Sequence, residues 1–362
     1  MSILAASAVA PRLEAAGPAR DDVNLRAARQ DKSAMLAPYK LVPGEVRTTI
    51  DPRLQKAARR LLGESRAPAG AVVVSDIRTG RILAWASVGK EGDLVRRAIY
   101  PSASLFKVVT AATLLEGHHI ERGNVICYSG GERKLEEADV KPGCHSGDHR
   151  IEFGKALGKS INGVFARLGV AYLESRDLSV QSHALGLDAA PLVDVPADAG
   201  HIVLPEPGAT DLAFGRAAAG FHTARLSPLS ALSMMQTIAN GGEKVRLHVL
   251  GDGASVSREV AGRAMSTSTA KTLTRMLEVT TRSGTSAEAF RPADGKQRLR
   301  VAGKTGTLAT GNPARLVSWF AGFAPADKPE VAITVMLAND HSWWRKANEV
   351  ARDMLDAYFT RP

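Results

Sequence analysis

Three short stretches of this chain put together residues that can do covalent chemistry. The first is Ser104-Leu-Phe-Lys107. Residues three apart on a helix share a face, with Cβ atoms about 5–6 Å apart. A serine hydroxyl is a poor nucleophile until a base takes its proton. A lysine desolvated at a helix start loses its charge and can be that base. The helix N-terminus also offers N–H groups to a developing oxyanion. The ordinary alternative is a serine cap beside a solvated lysine. The second stretch is Ser160-Ile-Asn162, after a helical run from Phe153 to Lys159. Its alternate positions project two polar side chains toward one cleft. The ordinary alternative is a cap for the helix that carries Val164 and Leu168. The third is Lys304-Thr305-Gly306-Thr307, at the end of a strand-like run. Glycine on an edge strand lets a substrate backbone come close, and the lysine and hydroxyls suit a carboxylate. The stretch contains Gly-Lys-Thr, but a phosphate-binding loop needs glycine where Arg298 stands, so that reading is rejected.

These residues need a scaffold, and the flanking pattern supplies one. Asp51-Pro52 is a helix start, with Asp as N-cap and Pro at the first helical position. Leu54, Ala58, Leu61 and Leu62 then fall on one face. Residues 71–77 and 81–87 are strand-like and flank Thr79-Gly80, which reads as an antiparallel hairpin. A helix is expected over 104–117, ended by Gly117. Residues 118–150 read as a long polar loop, and 151–290 as mostly helical. Strand-like runs at 299–305, 315–323 and 331–338 precede a final helix over 344–359. The expectation is an α/β (α+β) fold with one five-stranded antiparallel sheet flanked by helices. A large helical subdomain would be inserted between its second and third strands.

Composition narrows the function classes. With 44% hydrophobic and 23% charged residues the chain is globular in character. No apolar run reaches 18 residues, so no membrane span is read. The net charge of +10 favours an acidic partner. Nucleic acid is set aside, because the basic residues are dispersed and aromatics are only 5%. Residues 1–47 read as an N-terminal tail or stem. Ala6-Ser7-Ala8 and Ala8-Val9-Ala10 fit an export-cleavage pattern, but the basic n-region is lacking and the apolar part is short, so a disordered tail and the remnant of an export signal or anchor that begins before residue 1 stand as alternatives.

Ser-x-x-Lys, Ser-x-Asn and Lys-Thr-Gly in this order resemble the motif set of penicillin-binding proteins and serine β-lactamases. The chain is similar to the transpeptidase domain of penicillin-binding proteins over about residues 48–360, and the domain is drawn as 48–362. Thr48-Thr-Ile-Asp-Pro-Arg-Leu-Gln55 looks like the opening of that domain, and Ala71 to Ser87 like its first hairpin. Leu226-Ser-Pro-Leu229, Ala239-Asn-Gly-Gly242, Ser283-Gly-Thr285 and Trp319-Phe-Ala-Gly-Phe323 extend the likeness. The resemblance implies that Ser104 attacks the D-Ala-D-Ala carbonyl of a peptidoglycan stem peptide and Lys107 takes its proton. It implies that Ser160 relays a proton to the leaving amine and that Asn162 bonds the donor backbone. Lys304 would supply positive potential, with Thr305, Gly306 and Thr307 binding the terminal carboxylate. The amides of Ser104 and Thr307 would form the oxyanion hole. β-Lactams should acylate the same serine. No metal or organic cofactor is required, cell-wall synthesis proteins are implied partners, and the location is the extracytoplasmic side of the cell envelope.

The likeness has departures. The family usually has Pro-Gly before the nucleophile; here Ser102 and Ala103 stand there. No Glu-x-x-Leu-Asn stretch is present, which argues against a deacylating glutamate, and Glu174 reads as a solvated helix charge. The activity is expected to be transpeptidation. The alternatives are a D,D-carboxypeptidase, a serine β-lactamase and a β-lactam sensor or wall-binding module that does not turn over. In an oxidising envelope Cys127 and Cys144 are candidates for a disulfide; zinc with His145 and His149 is the competing reading, on poor ligand spacing. His118-His119 reads as a solvated turn. Trp343 and Trp344 read as packing against the sheet, with a ligand rim as the less favoured alternative.

Overall fold

Alternating and continuous apolar runs form the strands, and each strand is covered according to its pattern. The structure is a computed structural model and describes residues 39–41, 44–131, 134–221, 223–251, 256–291, 299–311, 315–340 and 342–360. The export-like pattern of residues 1–10 lies outside them. A short antiparallel ladder pairs Tyr39–Leu41 with Gly44–Val46, within the stretch read as a stem. The main sheet is built from β1 (Ala69–Asp76), β2 (Ile82–Val88), β3 (Ala302–Thr310), β4 (Arg315–Ala324) and β5 (Val331–Asn339). Their spatial order is β3-β4-β5-β1-β2 and every pairing is antiparallel. The β5–β1 ladder, from Val331↔Asp76 to Ala338↔Ala69, joins the two ends of the domain. In the turn between β1 and β2, the Asp76 carboxylate accepts the Thr79 amide at 2.7 Å. A side chain at Gly80, whose φ is +76°, would strike the Arg246 carbonyl.

One face of the sheet is covered by α1 (Pro52–Ser65) and α9 (Ala347–Phe359). Leu54 and Leu61 of α1 and Val350 and Leu355 of α9 share a core with Val72, Val74, Phe320 and Val335. Asp51 caps α1, accepting from the amides of Arg53 and Leu54. The other face meets the helical region, where Leu232 and Met235 of α7 (Pro228–Ala239) share a core with Val73, Ala321 and Met336. Covering on both faces explains why β5 is buried at every position and is apolar at all but Thr334 and Asn339.

The helical region contains α2 (Lys107–Glu116), α3 (Phe153–Lys159), α4 (Asn162–Tyr172), α5 (Ser175–Ala184), α6 (Asp211–Ala218), α7 and α8 (Thr267–Arg282). Several expectations need correction here. The segment 118–150 is not loop throughout: Val125–Tyr128 pairs with His149–Glu152, and Glu137–Val140 forms a helical turn. The segment 151–290 includes the strands His201–Val203, Thr223–Leu226, Glu243–Val245 and Val260–Arg263. Glu174 is exposed, as read for a solvated helix charge, and is the N-cap residue of α5, where its own amide donates to the Asp177 carboxylate at 2.8 Å. His118 and His119 are exposed, and the His119 ring stacks on Tyr172. The final helix begins at Ala347, not 344, and leaves both tryptophans in the preceding loop. Trp344 is 66% exposed, with the Arg66 guanidinium over its ring.

Candidate active site

Ser104 lies on a single 3₁₀ turn, Ala103–Phe106, which runs into α2 at Lys107. The chain reaches this turn through Tyr100–Pro101, paired with the strand Thr223–Leu226. Ala103 has φ +47°, a left-handed conformation that disfavours any residue with a Cβ. That strain is where the Ser102-Ala103 departure from Pro-Gly falls. Facing it, Gly220 at φ +86° leaves room for the Ala103 carbonyl, which a Cβ there would meet at 2.4 Å.

Lys107 is fully buried, although a lysine at a helix start is ordinarily solvated. Helix α2 is apolar almost all round, so its first turn carries the ammonium into the core. Its Nζ is 2.8 Å from Ser104 Oγ and donates to the Ala219 carbonyl at 2.7 Å. The Phe221 ring lies 5.7 Å away. Burial holds the Lys107 amine well below the usual lysine range, and the nearby Lys304 charge pushes it the same way. A neutral amine at this distance can accept the serine proton.

Ser160 is not a cap for α4. It is the left-handed residue that ends α3, at φ 59° and ψ 37°. This turn delivers its hydroxyl to Lys304, whose Nζ donates to Ser160 Oγ at 2.8 Å and to the Thr305 carbonyl at 3.0 Å. Lys304 has no exposure, and burial brings its pKa down to about 7. Asn162 opens α4 and donates through Nδ2 to the Gly131 carbonyl at 2.8 Å. On β3, Gly306 lets the strand lie against the serine turn, since a Cβ there would come within 3.1 Å of the Ser102 carbonyl. Thr305 and Thr307 lie on the same strand, with Thr307 exposed.

Together these groups border a cleft of about 510 Å³, lined among others by Ser104, Ser160, Asn162, Thr305, Thr307 and Trp343. The two lysines stand behind its wall, each against one serine. Two contributors were not legible beforehand. Trp343 lines the cleft, the less favoured of its two readings, and a residue in a loop before a helix carries no periodicity to decide between them. Thr285, seen in the sequence only as part of Ser-Gly-Thr, meets Thr305 hydroxyl to hydroxyl at 2.6 Å. Its amide donates to the Gly158 carbonyl in α3 at 3.2 Å. Gly284 makes that approach feasible, because a Cβ there would meet Gly158 O at 2.2 Å.

Cys127 and Cys144 form a disulfide, with Cα atoms 5.3 Å apart. Their sulfurs are therefore not thiolate ligands, and the zinc reading falls. No cluster of three metal-ligating side chains occurs among the described residues.

A match to the model of the penicillin-binding protein transpeptidase domain spans residues 70–356. The chain belongs to this family. It is 30% identical over 344 residues to the peptidoglycan D,D-transpeptidase PbpA of Mycobacterium tuberculosis, across 82% of this chain and 67% of that protein. The ceftriaxone acyl-enzyme complex of M. tuberculosis penicillin-binding protein A superposes with a TM-score of 0.67 at 25% identity, covering 86% of this chain and 79% of that one. The transpeptidase domain of Burkholderia pseudomallei penicillin-binding protein 3 shares the fold, with a TM-score of 0.72 at 21% identity over 86% and 95% of the two chains. As a transpeptidase-family member, the chain is a serine D,D-transpeptidase homologue of the cell envelope.

Proposed function

We propose that this chain cross-links peptidoglycan stem peptides through an acyl-enzyme on Ser104. The observation that carries the reading is the buried Lys107 amine, 2.8 Å from Ser104 Oγ and held below the usual lysine range. Ser104 Oγ attacks the carbonyl of the D-Ala-D-Ala bond as Lys107 takes its proton. The amides of Ser104 and Thr307 hold the oxyanion, where loss of one donor typically costs roughly a hundredfold or more in rate. The C–N bond then breaks. Ser160, with Lys304 behind it, passes a proton to the leaving D-alanine amine. Asn162 bonds the donor backbone, and Thr305 and Thr307 bind the terminal carboxylate beside Lys304. An amine from a second strand attacks the ester, forms the cross-link and frees Ser104. β-Lactams stop at the acyl stage. Residues 48–362 are the catalytic unit and residues 1–47 a tail or stem, with other wall-synthesis proteins as partners.

The test is incubation with a fluorescent penicillin. One acyl group should appear on the peptide holding Ser104. Ser104→Ala should abolish it, and Lys107→Ala should lose acylation while keeping the fold. Labelling that survives Ser104→Ala overturns the assignment. A donor-plus-amine assay then follows the product, and release of free D-alanine without amine incorporation would make the enzyme a carboxypeptidase.

A further inference from the structure

Arg167 has no place in the mechanism above, yet it is a buried arginine on the helix that begins with Asn162. It is 4% exposed and sits about one and a half turns along α4. Its guanidinium reaches five acceptors, all in the segment closed by the disulfide or just beyond it. Nη1 donates to the Cys127 carbonyl at 3.0 Å, the Gly143 carbonyl at 2.8 Å and the Asp148 carboxylate at 2.8 Å. Nη2 reaches Ser129 Oγ at 3.3 Å, and Nε reaches the Asp139 carbonyl at 3.4 Å. Asp148 is nearly as buried, and the Arg167 guanidinium holds its carboxyl below the usual range.

This clasp has a geometric consequence at the site. The segment from Tyr128 to Gly131 is laid against the first turn of α4. A Cβ on Gly163 would meet the carbonyls of Ser129 and Gly130 at 3.4 Å, and one on Gly131 would meet the Gly163 amide at 3.0 Å. The end of that segment is the Gly131 carbonyl, which accepts from Asn162 Nδ2. Arg167 thus holds the chain at Cys127 and Ser129, just ahead of Gly131, and again at Asp139 and Gly143, and the Gly131 carbonyl accepts from the nitrogen side of the Asn162 amide. An unbraced amide presents donor and acceptor to the cleft interchangeably.

We propose that Arg167 is a positioning residue for Asn162: by clasping the 127–148 segment it holds the Gly131 carbonyl on the Asn162 amide and fixes the orientation in which that amide meets the donor strand. The proposal rests on the reading that Asn162 bonds the backbone of the donor. Its effect should depend on whether the ligand offers an amide to bond. A penicillin has an acylamino arm in that place; a carbapenem carries a hydroxyethyl group instead. A general loss of structure would slow both alike.

The experiment measures second-order acylation of the whole chain by benzylpenicillin and by a carbapenem. Wild type is compared with Arg167→Met, Arg167→Lys, Asp148→Asn, Asn162→Ala and the Asn162→Ala/Arg167→Met double variant, with melting curves for each. Arg167→Met should slow the penicillin about five- to tenfold, the worth of one mispositioned hydrogen bond, and the carbapenem less than twofold. Arg167→Lys should fall between, since one ammonium cannot span five acceptors. The double variant should be no slower toward penicillin than Asn162→Ala alone. If Arg167→Met does not fold, Asp148→Asn carries the test, with a smaller loss of the same selectivity. Equal slowing of both ligands, or an unselective Arg167→Met beside a selective Asn162→Ala, overturns the proposal. An Asn162→Ala variant that is itself unselective overturns the underlying reading of Asn162 instead.

Discussion

A buried amine that titrates near neutrality gives the site a pH signature. Burial lowers the Lys304 pKa to about 7, so the residue is cationic below that pH and neutral above it. Its attraction for a carboxylate should therefore fade as pH rises through about 7. Acylation by a carboxylate-bearing β-lactam should show an alkaline limb there, and a neutral thioester should not. Lys304→Ala should remove that limb and slow the carboxylate-bearing ligand about ten- to a hundredfold, the range of a hydrogen bond to a charged group. Equal slowing of the thioester would make Lys304 structural. The same substitution relieves Lys107 of a nearby charge that depresses it. The Lys107 pKa should rise, moving the acid limb to higher pH. The stability effect has a fixed sign. Between about 7 and the ordinary lysine value of 10.5 the unfolded chain binds more protons than the folded one at this site. Stability should thus climb with pH across that window. Residue types and spacing marked Ser104, Lys107 and Lys304 in advance. The burial of Lys107 did not show, because a lysine after a helix start looks the same in sequence whether its ammonium points into the core or into water.

Elements hold these residues through a few close backbone approaches. The tightest at the site is between Gly284, after α8, and Gly158, in α3 just ahead of Ser160. Gly284→Ala should destabilise the fold by about 1–3 kcal/mol, as overpacking does. It should also slow acylation, because Thr285 then loses its hold on Thr305. Thermal unfolding together with acylation rates would check both effects; an unchanged melting temperature would mean the contact is loose. The disulfide offers a second handle on elements. A loop of this size is worth roughly 3 kcal/mol in the chain-entropy model. Reduction should lower hydrogen-exchange protection over residues 120–150 and leave β1–β5 unchanged, and a loss spread through the sheet would contradict this. Strands and long helices were legible because their apolar pattern is continuous. The 3₁₀ turn under Ser104, the left-handed Ser160 and the paired strands inside the 118–150 segment were not. Each is set by a tertiary partner — Gly220, Lys304, Arg167 — that no local pattern contains.

At the scale of the molecule, the fold brings early and late strands together and leaves one sheet edge at the cleft. That two early and three late strands make one sheet follows from their apolar runs, but their order β3-β4-β5-β1-β2 rests on a β5–β1 ladder between segments far apart in sequence. Among the described residues β3 pairs with β4 alone, and β3 carries Lys304 through Thr307. An unpaired edge is a row of free backbone groups that will take up any extended chain. Most proteins blunt such an edge with charge, proline or a covering loop. On the proposed reading the outer part of this edge is the working surface, so blunting it should abolish entry of an extended donor. The same openness makes β3 a template for wrong partners, including the β3 of a second copy. Occupancy should quiet it: with a peptide-like acyl group on Ser104, the amides of residues 302–310 should exchange more slowly and self-association at high concentration should drop. Unchanged exchange in the acylated protein would mean the occupant lies in the cleft without pairing along the strand.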